Sequence, residues 1–328
     1  MDEKIKDGYW CEDILPPMSK FTDPEPVIQQ GGRVLLSRGN LATITGKPKS
    51  FKTFLNSGIC AGVLEDEFLT FSCAIKSARI MYIDTEQSKS HAQIVQHRIY
   101  KLCGYDIMNP TPRLVYLTLR EYSAKKRLER TIAAIEDWKP DLVVIDGIRD
   151  LVLDFNNLEE SGQVVGELMR LSSTCNCGIL VVLHQNKNDA NARGHLGSEI
   201  CNKSETVVQV VNDKGIATVS PVFSRNREIE DFSFRINEAG LPELCGASRT
   251  EQKTEELEDM MRKAMFGSVW MSRKDLTAKV EIVSGKATRT SERKVKEALD
   301  AGVIKFNQAG QITLAKEKND DDHDKLLF

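Results

Sequence analysis

The sequence predicts a doubly wound α/β domain with a mostly parallel sheet, followed by a small winged helix-turn-helix unit. Three observations carry this reading. Short, almost continuously apolar runs alternate with helical patterns between residues 33 and 245; several of those runs end in polar or acidic residues; and beyond residue 254 the pattern becomes three helices and a hairpin. Continuous apolarity marks strands covered on both faces, and alternation with helices marks crossover connections in a parallel sheet.

Residues 1–30 hold Pro16, Pro17, Pro24 and Pro26 among acidic residues and read as an extended arm. Strands are expected at 41–45, 79–84, 113–119, 141–146 and 178–184, with helices at 54–64, 88–102, 124–138 and 158–175 between them. A polar, glycine-containing loop is expected at 187–203. An antiparallel meander over 205–211, 216–224 and 232–236 should then close the larger domain at 31–245. Residues 246–254 read as a linker. Helices at 255–266, 272–281 and 290–300, then strands at 303–306 and 311–314, make up the winged unit, 255–315. The tail 316–328, with Asp320, Asp321, Asp322 and Asp324, is expected to be disordered.

Composition excludes more than it selects. A net charge of −3 announces no global nucleic-acid binder, and no apolar run approaches the roughly 18 residues of a membrane span. The start, Met-Asp-Glu-Lys, lacks the basic-then-apolar order of a signal peptide. The 8 cysteines form neither a zinc framework nor a secreted disulfide pattern. Reduced thiols and a cytoplasmic location are therefore expected.

The chemistry lies at strand ends. Gly46-Lys47-Pro48-Lys49-Ser50-Phe51-Lys52-Thr53 nearly fits GxxxxGK[ST], after one predicted strand and before a helix. Backbone N–H groups of such a loop surround a polyphosphate, Lys52 contacts the β- and γ-phosphates of ATP, and the Thr53 hydroxyl binds Mg²⁺. Phe51 replaces the second glycine, so its side chain must turn away from the phosphates, and a positive φ there is costly. Asp146 ends the strand 141–146 and supports the metal, unless it serves only an Asp-Gly turn. Glu86, after the strand 79–84, is placed to polarise an attacking water, or else is a helix N-terminal acid. At the end of 178–184, Gln185 is placed to sense the γ-phosphate or that water.

Assembled, these residues resemble the RecA-like P-loop ATPases, and most closely the hexameric RepA-type replicative helicases of plasmids and related ATPases of mobile elements. The resemblance spans 25–245 and rests on residues 46–53, 84–86, 142–146 and 184–186, on Ala192-Arg193-Gly194 and on Ser224-Arg225-Asn226-Arg227. It implies that Glu86 activates water, and that Gln185 or His184 couples the γ-phosphate to a DNA-binding loop. Loop 187–203, with Lys187, Arg193, His195 and Lys203, would face single-stranded DNA in a ring. Arg225 and Arg227 would stand where an arginine finger reaches a neighbouring subunit's nucleotide. Phe51 departs from the family pattern, and the lack of a paired-cysteine zinc module argues against the RadA-type repair branch.

Between residues 272 and 305 nine basic residues face five acidic ones, and Arg289, Arg293 and Lys296 share one helix face at i, i+4 and i+7. That face is suited to phosphates of duplex DNA, or is simply solvated. The expected function is a DNA-dependent ATPase, assembled as a homo-oligomeric ring helicase, in replication or mobilisation of a mobile element. An ATP-controlled DNA-binding regulator is the alternative, and a KaiC-like signalling ATPase is the third reading.

Overall fold

A computed structural model of the chain describes residues 13–185, 194–245, 249–307 and 309–315. In chain order the first part contains β1 (Pro26–Gln30), β2 (Arg33–Ser37), β3 (Leu41–Gly46), α1 (Lys52–Leu64), β4 (Ile80–Asp84), α2 (Lys89–Leu102) and β5 (Leu114–Thr118). It continues with α3 (Ala124–Trp138), β6 (Leu142–Asp146), α4 (Leu158–Thr174), β7 (Gly178–His184) and α5 (Gly194–Lys203). Strands β8 (Thr206–Asp213), β9 (Ile216–Ser224), β10 (Phe232–Ile236) and β11 (Pro242–Leu244) complete it.

The main sheet runs β11-β10-β9-β8-β3-β7-β6-β4-β5. Strands β8, β3, β7, β6, β4 and β5 are mutually parallel, whereas β9, β10 and β11 extend the sheet antiparallel. Because side chains alternate along a strand, the two faces sort cleanly. Ile44, Tyr82, Val144 and Leu180 face α1 and α2, packing on Leu55, Ile59, Val95 and Ile99. Met81, Ile83, Val143, Ile145, Ile179 and Val181 face α3, α4 and α5, packing on Ile135, Leu168 and Ile200. Each such fully buried aliphatic side chain contributes roughly 1.5–3 kcal/mol, and an Asp at Val181 would bury an unpaired charge in the middle of the sheet.

Helix starts follow local chemistry. The Ser123 side chain accepts from Lys126 N at the start of α3, and Asn157 accepts from Glu160 N at the start of α4. Helix α1 differs. Its N-cap, Phe51, offers no acceptor, and its first turn carries no acidic residue. The N-terminal partial positive charge is therefore left uncompensated by the chain itself.

The second part is α6 (Arg249–Ala264), α7 (Arg273–Ser284), α8 (Thr288–Asp300), β12 (Ile304–Phe306) and β13 (Ile312–Leu314). Strands β12 and β13 form an antiparallel hairpin, and Met271 bridges to Ile312 on its far side. Leu257, Met261, Leu276, Val280, Val295, Ile304 and Ile312 make this unit's own core. Ser272 caps α7 through Asp275 N, and Gly285 ends it in the left-handed conformation at φ 62°.

Three expectations need correction. Residues 26–30 are not arm but strand: β1 pairs with β2, and Val27 and Ile28 are fully buried. The linker 246–254 is shorter, because α6 begins at Arg249. The stretch 187–203 is not one loop, since 194–203 is α5, with Leu196 and Ile200 buried under the sheet. Strands β8, β9 and β10 do form an antiparallel meander, and β8 also joins the sheet parallel to β3. The first miss has a simple cause: proline density hid two five-residue strands whose alternation was too short to register. Lys187, Arg193, the tail 316–328 and residues 1–12 of the arm lie outside the described residues. The described cysteines are free thiols, and among the described residues no helix is long and apolar enough to cross a membrane.

Candidate functional site

The carboxyl ends of β3, β7, β6 and β4 lie side by side, so register alone gathers the chemistry. Gly46 is level with His184, and Asp84 with Asp146. Open α/β sheets collect ligands at this edge. From Gly46 the chain turns through Lys47, Pro48 and Lys49, all exposed, to buried Ser50 and then into α1. A Cβ on Gly46 would lie 2.5 Å from the Val210 carbonyl oxygen and 2.6 Å from Ser50 Oγ, so no other residue fits there. Asn212 at the end of β8 braces the loop by donating to the Lys49 carbonyl at 3.0 Å.

Lys49 and Phe51 both adopt positive φ, 65° and 70°. Phe51 therefore keeps the backbone shape that glycine normally supplies, at a cost of about 1–2 kcal/mol. Its ring turns away from the loop and meets Phe54 edge-on, centroids 5.6 Å apart, at the margin of the core under α1.

Lys52 is buried and folds back over the loop, donating to the carbonyls of Gly46 (2.9 Å) and Lys47 (2.8 Å). Burial pulls its pKa down to about 8, against the opposing pull of Asp146 and Glu86. Thr53 Oγ1 donates to Asp146 Oδ2 at 3.2 Å, and Tyr82 Oη donates to the same oxygen at 2.7 Å. Burial raises the Asp146 carboxyl to about 6. The Tyr82 and Thr53 hydrogen bonds oppose that rise, while Asp84 and Glu86 add to it.

Glu86 sits in the turn after β4. Asp84 holds that turn by accepting from the N–H groups of Glu86 (3.1 Å) and Gln87 (2.8 Å). Thr85 Oγ1 ties it to β6 through the Gly147 carbonyl at 2.8 Å. Gly147 has φ 104°, and a Cβ there would stand 2.3 Å from Thr85 Oγ1 and 2.7 Å from Glu86 Cγ. The Asp-Gly pair thus makes room for Glu86. His184 Nε2 approaches Glu86 Oε1 at 3.5 Å, and this hydrogen bond, against burial, holds the glutamate below the ordinary carboxylate range.

The sequence-predicted residues Gly46–Thr53 region, Glu86 and Asp146 therefore converge. Gln185 does not join them. It is buried, its amide donates to Thr45 Oγ1 at 3.3 Å, and its neighbour His184 is the residue that reaches Glu86. Arg225 and Arg227 lie at the other end of the sheet, since Ser224 pairs with Thr206 and Thr206 with Ala42. Arg225 there contacts the Asn202 carbonyl. His195 and Lys203 sit at opposite ends of α5, about 12 Å apart along its axis, and Lys203 neighbours Glu199 at 4.0 Å. Arg289, Arg293 and Lys296 are exposed together on α8, where Arg293 also lies 3.5 Å from Glu297.

Sequence reasoning missed Tyr82, Asn56 and the His184–Glu86 contact. Tyr82 was legible only as one polar-tipped residue in an otherwise aliphatic strand, Ile-Met-Tyr-Ile-Asp. The oxygens of Thr53 and Asp146 suit a hard divalent cation. Among the described residues no group of three or more His, Cys, Asp or Glu side chains could hold a metal, so such an ion would take its other ligands from phosphate and water. A family model described as an AAA domain matches residues 17–190, just over half of the chain. No curated protein matches the sequence.

Proposed function

The chain belongs to the AAA-domain family of P-loop ATPases, and from that premise we propose that it is a DNA-dependent ATPase with a RecA-like core, acting as a ring helicase in replication or mobilisation of a mobile element. The observation that carries the reading is the placement of His184 on a strand inserted between the phosphate-loop strand and the Asp146 strand, in contact with Glu86. A residue there can report the state of the γ-phosphate to the segment that follows β7, which is where the resemblance expects DNA.

In this reading the loop 46–53 and the first-turn N–H groups of α1 receive the phosphates of ATP. Lys52 exchanges its two carbonyl contacts for phosphate oxygens. Thr53 and Asp146 hold Mg²⁺, which when bound neutralises phosphate charge. Glu86 orients water and takes its proton; held below its ordinary range, its carboxylate is ionised and ready to accept. Since Gln185 is engaged with Thr45, His184 is the better candidate for the coupling residue. Arg225 and Arg227, remote from this chain's own loop, would act only across a subunit interface, such as a ring supplies. His195 and Lys203 contribute to a DNA path through separate ends of α5, with Lys187 and Arg193 between β7 and that helix. Helices α6–α8 and the β12–β13 hairpin form a winged helix whose α8 face, Arg289, Arg293 and Lys296, meets duplex phosphates.

Purified protein should hydrolyse ATP faster with single-stranded DNA than without it, at low salt, and run as a multimer by native mass. Lys52→Ala should abolish hydrolysis, by about 10²–10³-fold, without loss of helical signal. Equal rates with and without DNA would remove the DNA-dependent reading. The alternative, an ATP-controlled DNA-binding regulator, has the exposed α8 face in its favour. A duplex-unwinding assay beside a footprint separates the two.

A further inference from the structure

Two tyrosines on neighbouring strands repeat one diagonal contact. Tyr116 on β5 is level with Tyr82 on β4, and their rings stack 4.6 Å apart at 6°. Each hydroxyl reaches one strand across and two residues along. Tyr116 Oη donates to Asp84 Oδ2 at 3.1 Å, and Tyr82 Oη donates to Asp146 Oδ2 at 2.7 Å. The two aspartates are themselves level in the sheet. Asn56 of α1 completes the arrangement by donating to Tyr82 Oη at 3.4 Å, which fixes the direction in which that hydroxyl gives its proton.

We propose that the stacked Tyr82–Tyr116 pair is a positioning element that sets the two carboxylates of the site separately: Tyr82 aims Asp146, and Tyr116, through Asp84, aims Glu86. The proposal rests on the ATPase reading above. Tyr82 is fully buried, and on the side away from Tyr116 its row continues through the aliphatic Val144 and Leu180. A hydroxyl is costly there unless it bonds, so its presence is explained by what it holds. Its bond occupies Oδ2 together with Thr53 and so fixes the rotation of the Asp146 carboxylate. The second line is different in kind. Asp84 accepts from the N–H groups of Glu86 and Gln87, so it shapes the turn on which Glu86 stands. Tyr116 pins the remaining oxygen of Asp84. Neither tyrosine touches substrate in this scheme.

The two lines predict two different defects. In the full chain, Tyr82→Phe keeps the ring stack and removes the bond to Asp146. Binding of a ribose-labelled fluorescent ATP should weaken roughly tenfold when Mg²⁺ is present and stay unchanged in EDTA. Tyr116→Phe should instead leave that binding alone and lower kcat roughly tenfold. Tyr105→Phe, which loses a surface hydrogen bond to Glu65, is the control and should match the unsubstituted protein in both. Should Tyr82→Phe fold poorly, Asn56→Ala removes the donor that orients the hydroxyl and should give a smaller Mg²⁺-specific loss. A fall in thermal stability with Mg²⁺ dependence and kcat intact would make the tyrosines core residues and overturn the proposal, as would equal losses of both quantities in both variants. If the unsubstituted chain itself binds nucleotide no better with Mg²⁺ than without, the ATPase reading fails first, and this proposal with it.

Discussion

At the amino ends of the parallel strands two carboxylates are saturated with partners, whereas at the carboxyl ends several polar groups beside the well-held Asp84 are only half engaged. Glu205, just before β8, accepts from Ser37 N (2.8 Å), Ser37 Oγ (2.9 Å) and Asn226 Nδ2 (2.7 Å). Asp141, just before β6, accepts from Arg38 Nη2 and Arg79 N, both at 2.6 Å. Across the sheet, Lys52 contacts carbonyls rather than a carboxylate, and Glu86 meets a histidine at 3.5 Å. Among the described residues four buried side-chain atoms have no hydrogen-bond partner, and two of them, Asn56 Oδ1 and His184 Nδ1, belong to this end. The same sheet thus carries a closed network at one edge and an open one at the other. Closed networks stabilise a fold; open ones are completed by a ligand.

Substitutions at the two ends should therefore fail in different currencies. The largest effect is expected for Glu86→Gln, which should lower kcat by about 10²–10⁴-fold while nucleotide still binds, measured by steady-state hydrolysis and by equilibrium binding. Gly147→Ala comes next. Its Cβ collides with Thr85 and Glu86 at positive φ, so stability should drop by about 2–3 kcal/mol in a urea titration, with hydrolysis lost beyond what unfolding explains.

A pH series sharpens the contrast further. As pH rises through about 8 the free protein's Lys52 loses its charge, so nucleotide affinity should fall between about pH 7 and pH 9.5, and Lys52→Met should flatten the profile. Stability moves the other way. The folded-state pKa is about 8 and the ordinary value 10.5, so in that window the unfolded chain binds more protons, and this lysine's contribution to stability rises with pH. The smallest effect belongs to the closed end: Ser37→Ala should cost about 1–2 kcal/mol and leave kcat unchanged. A change in kcat there would break the comparison.

Much of the strand layout is legible in the sequence. The positions of β4, β6 and β7 follow from apolar runs, and Asp146 and Glu86 stand out as acids at, or two residues past, the ends of two of them. What stayed hidden depended on cross-strand neighbours. Nothing in a linear reading says that Tyr82 stands beside Asp146, because strand order, and not chain order, places β4 against β6. His184 and Gln185 were indistinguishable by type. They separated only when alternation sent one toward Glu86 and the other toward Thr45. The helix at 194–203 was lost to its glycines and polar residues, which mask the two apolar positions, Leu196 and Ile200, that fasten it.

Phe51 has a consequence for the thermodynamics of binding. A glycine at this point of the loop would roam widely before a nucleotide arrived, and ordering it would oppose association. Phenylalanine samples fewer backbone states, and its ring is lodged against Phe54; differences of this kind are worth about 0.4–1 kcal/mol. Part of the ordering is thus completed during folding, and nucleotide should bind with a smaller entropic penalty than to a Phe51→Gly variant. The exchange of a mobile residue for an anchored one makes the cradle a standing shape that waits for its anion.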